Sequence, residues 1–197
     1  MAGAHIIGRV VHASSNAITD DNKYARPEYE RRLLLQEAPP GLDEANYARI
    51  VDHYIPRTRM RLRRMEWQSQ DLVEYKLGLK FPDPSLPNGC VAMTNLYLTE
   101  HEYDYLRLFI DSDSMVKRRY PFVHRGAGYS IDVFEAPHAG LVLAEIEFET
   151  ADEYQRFQMP DFALADVTTD TFFTGGAFAT VPESILRRVL DERLRRG

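Results

Sequence analysis

Short runs in which apolar or β-branched residues alternate with polar ones fill the middle of the chain. Alternation at period two puts successive side chains on opposite faces of an extended strand. Runs of this kind cover residues 28–36, 51–66, 73–81, 91–98, 116–123, 129–134, 141–149 and 165–169, and each predicts a strand. Turn-forming residues separate them at Pro39-Pro40-Gly41, 82–89, 126–128 and 137–140. Three helix starts interrupt the strands. Thr99-Glu100-His101-Glu102 and Thr150-Ala151-Asp152-Glu153 are capping boxes. Thr180-Val181-Pro182-Glu183 opens a C-terminal helix whose Ile185, Leu186, Val189, Leu190 and Leu194 form one apolar stripe. About eight antiparallel strands with interspersed helices predict an α+β protein built on a closed or nearly closed sheet.

The polar faces of these strands are charged, and most carry one dominant sign. Glu28, Glu30 and Arg32 are in phase in the first run, and Arg57, Arg59, Arg61 and Arg63 in the second. Lys76 and Lys80 follow, then Lys117 and Arg119, then Asp132, then Glu145, Glu147 and Glu149. Two arrangements account for this pattern. Charged faces ordinarily point to water, with the apolar faces packed inside. Alternatively the sheet closes with its charges inward, and helices cover part of its apolar outside. An eight-stranded barrel has room for side chains and one small ligand. Charges crowded into such a lumen are costly unless they pair or bind ligands. Arginine and lysine suit a polyanion, and clustered carboxylates suit a divalent cation. A metal-bound polyphosphate meets both needs.

Composition narrows the classes. The 197 residues suit one domain. Thirty Asp and Glu against 24 Lys and Arg give a net charge of −6, without the overall basic field of a nucleic-acid binder. Cys90 stands alone, which excludes an intrachain disulfide or a cysteine zinc site and fits a reducing cytoplasm. No apolar run is long enough to predict a membrane span. The six histidines show no ligand spacing, and no phosphate-loop or nucleophile-elbow motif is present.

The charged elements, in this order, resemble the CYTH or triphosphate tunnel metalloenzyme family. Glu28-Tyr29-Glu30-Arg31-Arg32 resembles its E-x-E-x-K signature, with Arg in place of Lys. Thr58-Arg59-Met60-Arg61-Leu62-Arg63, Tyr75-Lys76-Leu77-Gly78-Leu79-Lys80, Lys117-Arg118-Arg119-Tyr120, Ile131-Asp132-Val133-Phe134 and the stretch 140–148 are similar to its later elements. The resemblance runs over about four fifths of the chain. It implies an eight-stranded antiparallel tunnel with a charged lumen over residues 23–180. A loose leader would precede it over 1–22, and the helix over 181–197 would pack on the barrel. It implies hydrolysis of inorganic triphosphate or a related organic triphosphate with Mg2+ or Mn2+. ATP cyclisation, as in class IV adenylate cyclases, or polyphosphate binding without turnover would be the alternatives. Glu28, Glu30, Glu145 and Glu147, with Asp132, would hold metal. Arg32, Arg59, Arg61, Arg63, Lys76, Lys80, Lys117 and Arg119 would hold the substrate, with either Arg59/Arg61 or Arg61/Arg63 as the principal pair. The expected partner is a small-molecule triphosphate, with no nucleic acid or membrane, and a homodimer is the default oligomer. The sequence departs from the family pattern at Phe162, at Asp166-Val167-Thr168, at Phe172 and at Thr174-Gly175-Gly176. These positions belong to the far end of the tunnel, where the substrate is selected.

Overall fold

A computed structural model describes residues 24–195. The leader expected over 1–22 lies outside them. Eight strands close into an antiparallel barrel: β1 (Arg26–Leu34), β2 (Ala48–Tyr54), β3 (Met60–Trp67), β4 (Leu72–Pro82), β5 (Val91–Leu98), β6 (Met115–His124), β7 (Ala127–Phe134) and β8 (Val142–Phe148). Their order around the ring is β5-β4-β3-β2-β6-β7-β8-β1, and β1 closes onto β5 through Arg26–Glu28 opposite Val91–Met93. A two-residue strand, β9 (Ala165–Asp166), lies outside the ring and pairs with Leu33 and Leu34 at the far end of β1.

Two of the expected strands are corrected. The run 51–66 is not continuous: it is the hairpin β2–β3. Pro56 has no N–H to give a ladder, and Arg57 adopts a left-handed φ of 61°. The Ile55 carbonyl accepts from the Thr58 amide (3.2 Å) and the Thr58 hydroxyl (2.8 Å), which reverses the chain. Of 165–169 only Ala165 and Asp166 are extended, so the eighth barrel strand comes from the divided run.

The apolar faces point outward and are largely covered, although Leu96 on β5 stays exposed. Helix α1 (Glu100–Arg107) begins in the expected capping box, with the Thr99 amide donating to Glu102 at 2.7 Å. It lays Tyr103 and Leu106 over Leu62, Tyr75 and Leu77. Helix α2 (Ala151–Arg156) is capped in the same way by Thr150 and Glu153. Around it Phe157 and Phe162 pack against Leu33, Tyr129, Ile131 and Ile146. A short α3 (Gly175–Phe178) precedes α4 (Glu183–Leu194), which starts at Pro182 without a side-chain cap. Leu186 and Leu190 of α4 join Phe173 against Leu34, Met115, Phe134 and Leu143, which are in the lumen-facing phase. The C-terminal helix therefore helps to fill one end of the barrel with apolar side chains. Each buried Leu or Phe in such a cluster contributes about 1.5–3 kcal/mol relative to exposure. No helix of the described residues is long and apolar enough to cross a membrane.

Candidate active site

Register places the charged residues on one surface. Because paired residues in neighbouring strands share a face, the chain of pairs Glu30–Glu147, Arg32–Glu145, Asp132–Arg119, Asp52–Arg63 and Arg63–Lys76 runs around the inside of the ring. The charges point inward, as the second of the two sequence arrangements requires. They surround a cavity of about 560 Å³ whose walls include Glu28, Glu30, Arg32, Arg59, Arg61, Arg63, Lys76, Lys80, Lys117, Arg119, Glu145 and Glu147. In the ring order β3 stands opposite β8, so the arginines of one wall face the glutamates of the other. Met115, Phe134, Leu143 and Phe173 supply an apolar floor.

Asp132 is the exception. It is 0 % exposed, is absent from the cavity wall, and has both carboxylate oxygens engaged. Arg119 donates to them through Nε and Nη2, each at 2.7 Å, and Lys117 Nζ donates to Oδ2. The resemblance groups it with the metal-holding acids; in the structure it sits behind two cavity cations and accepts hydrogen bonds from both. Arg59 lines the cavity as expected, but from the β2–β3 turn rather than from a strand, and its guanidinium lies 5.4 Å from the Phe81 ring centroid. Arg61 and Arg63 are the pair that shares a strand face.

The acids differ in electrostatics. Burial alone would raise Glu145, but Arg119, Lys117 and Arg32 outweigh it and hold the carboxyl well below the usual range. Arg119 Nη2 donates to it directly, and Arg32 Nε lies at 3.3 Å. Glu28 pairs with Lys80, and Glu30 accepts from Arg32 at 2.6 Å. Glu30 is nevertheless raised, by burial first and the Glu145 charge second. Glu147, directly across from Glu30, is raised by burial and by Glu30 itself. It has no ion pair within 4 Å among the described residues. Lys76 sits 2.8 Å from Glu74 and 4.9 Å from the Tyr97 ring centroid.

No group of three His, Cys, Asp or Glu side chains forms a ready cation cage among the described residues. The donor set nevertheless fits a hard divalent cation. Magnesium is commonly held by one or two carboxylates, with waters and phosphate oxygens completing its shell. Glu30 and Glu147 are adjacent, oxygen-donating and mutually repelled, and a cation between them would relieve that repulsion.

Three further contributors were given no role by the sequence. Asp52 is 0 % exposed and takes a two-pronged hydrogen bond from Arg63, Nε at 2.6 Å and Nη2 at 2.7 Å. Its only sequence signal was an acid in phase with Ile50 and Tyr54 on the strand beside the arginines. Thr168 fixes β1 by accepting the Arg32 amide at 3.0 Å. Tyr54 lines the cavity beside Arg61, and Gly175 of α3 lies against its ring. A Cβ at Gly175 would stand 1.8 Å from the Tyr54 hydroxyl oxygen. Gly175→Ala is therefore expected to lose about 1–3 kcal/mol by overpacking, measured by urea unfolding. A wild-type midpoint would show that α3 moves aside freely.

No family model matches the chain, and no curated protein gives a significant sequence match. Solved structures do match. Two structures of NE1496, one of them solved as an inorganic triphosphatase, are 23% identical to the chain with a TM-score of 0.53. The match covers 79% of this chain and 99% and 96% of theirs. A candidate adenylate cyclase from Bacillus halodurans is 16% identical over 70% of this chain and 94% of its own, with a TM-score of 0.46. What the chain shares with NE1496 at this identity is its fold, a closed antiparallel barrel reproduced over nearly the whole of that protein.

Proposed function

We propose that the chain is a divalent-metal-dependent hydrolase that cleaves a triphosphate inside the barrel. The observation that carries this is the two-walled lumen: Arg61 and Arg63 on β3 stand opposite Glu145 and Glu147 on β8, with Lys76 beside them on β4. Binding a polyanion alone would need the basic wall only. Phosphoryl transfer needs little covalent help from a protein beyond positioning and charge stabilisation. Arg61, Arg63, Lys76, Lys117 and Arg119 would grip the phosphate oxygens and stabilise the charge that develops on the transferred group. Glu30 and Glu147, with Glu28 and Glu145 beside them, would hold Mg2+ or Mn2+. When bound, the cation supplies positive charge against phosphate oxygens that the carboxylates would otherwise repel. The fold shared with NE1496, an inorganic triphosphatase, supports the proposal.

The test is phosphate release from inorganic triphosphate with and without Mg2+ or Mn2+, run beside ATP with an assay for cyclic AMP. Metal-dependent release from triphosphate without a cyclic product is the expected result. Cyclic AMP from ATP would make the protein a cyclase. Tight triphosphate binding without turnover of either compound would make it a binding protein.

A further inference from the structure

We infer that Asp52 is a positioning residue that aims Arg63 at the polyanion, an inference that rests on the triphosphate site proposed above. Asp52 lies on β2 in the lumen-facing phase, opposite Arg63 on β3. It does not line the cavity, and it is wholly buried. Arg63 does line the cavity and is itself only 7% exposed. The two hydrogen bonds from Nε and Nη2 clamp the guanidinium plane along one edge, which leaves Nη1 to a ligand. Arg61 Nε stands 3.5 Å from the same carboxylate and has no hydrogen-bond partner, so Asp52 holds Arg61 by charge without fixing its fork.

Packing does not explain the pair. A buried ion pair can often be replaced by apolar side chains of similar volume at no loss of stability. The neighbours of Asp52 in phase, Ile50 and Tyr54, show that this face accepts apolar side chains. One carboxylate beside two guanidinium groups also leaves a net positive charge at the cavity wall, the sign a polyanion requires. Asp132 stands in the same relation to Arg119 and Lys117, so the basic lining rests on two buried aspartates.

The test is a double-mutant cycle on the full chain, with binding of inorganic triphosphate measured by calorimetry in EDTA. Asp52→Asn is expected to weaken binding by about 10- to 100-fold, the usual cost of a displaced positioning contact. Arg63→Gln should weaken it similarly, and Asp52→Asn with Arg63→Gln should bind no more weakly than Arg63→Gln alone. A general loss of structure would not give this non-additivity. If Asp52→Asn does not fold, the comparison of Arg63→Gln with the neutral double variant still decides. Losses that add, or an Asp52→Asn variant that binds like the wild type, would leave Asp52 without a positioning role while the triphosphate site stands. A wild-type protein that binds no triphosphate either in EDTA or with Mg2+ present would remove both.

Discussion

Asp132→Ala is expected to lower the unfolding free energy by about 3–5 kcal/mol, seen as a lower denaturant midpoint at unchanged slope. The magnitude follows from what the substitution strands. Lys117 is 4% exposed, and Arg119 shares its guanidinium between Asp132 and Glu145. Without Asp132, Lys117 loses its ion-pair partner and must shed its proton or draw in water. Removing one partner of a buried pair costs far more than the pair contributed, because the remaining charge keeps its desolvation penalty. The outcome separates two roles for this aspartate. A midpoint equal to wild type, together with a lost stabilisation by Mg2+ or Mn2+, would return Asp132 to the metal-holding acids.

Glu147→Gln is expected to lower metal-dependent phosphate release by about 10²–10³-fold while leaving the fold intact, since Glu147 sits at the strand's end, only partly desolvated and with one side open to solvent, and anchors no ion pair among the described residues. The wild-type pH profile carries the same information. Burial and mutual repulsion raise Glu30 and Glu147 above the usual carboxylate range. A carboxyl whose folded pKa is raised favours folding fully at pH values below its unfolded pKa. That contribution is lost as pH rises through the folded value. In that window the ionised pair is strained and ready for a cation. Activity, and the thermal stabilisation given by Mg2+, should both rise with pH through it. Glu147→Gln should flatten both curves. A variant with unchanged turnover and unchanged cation stabilisation would place the metal elsewhere.

The closed sheet and its charged lumen were legible in the sequence because both depend on period two, the most regular signal a strand gives. Glu28/Glu30/Arg32 and Glu145/Glu147 needed only alternation to be placed on one face. The same regularity concealed the β2–β3 turn. Arg57, Arg59, Arg61 and Arg63 alternate without a break, and that alternation outweighed the one compositional mark of the turn, Pro56. Asp52 and Asp132 show a different limit. Phase put Asp132 in the lumen, but a wall contact and a buried support in the same phase look alike until cross-strand partners are known. Depth depends on neighbours far away in sequence, such as Lys117 and Arg119 for Asp132. Gly175 belongs to the same class, since its need for a bare Cα arises from Tyr54, which lies on another element.

The first strand of the barrel cannot complete its pairing until the eighth has been made. β1 leads the described chain, yet its partners are β5, β8 and β9, and its longest pairing, with β8, joins residues more than a hundred positions apart. On a ribosome, Glu28, Glu30 and Arg32 would emerge early and stay hydrated until Glu145 and Glu147 followed them out. Contacts so distant in sequence form slowly, because the intervening chain must first be organised. Ring closure and the meeting of the two acidic pairs therefore both wait for β8. A nascent chain halted after β7 would carry most of the basic wall and only one strand of the acidic one, so it could attract a polyphosphate but could not complete the facing acids.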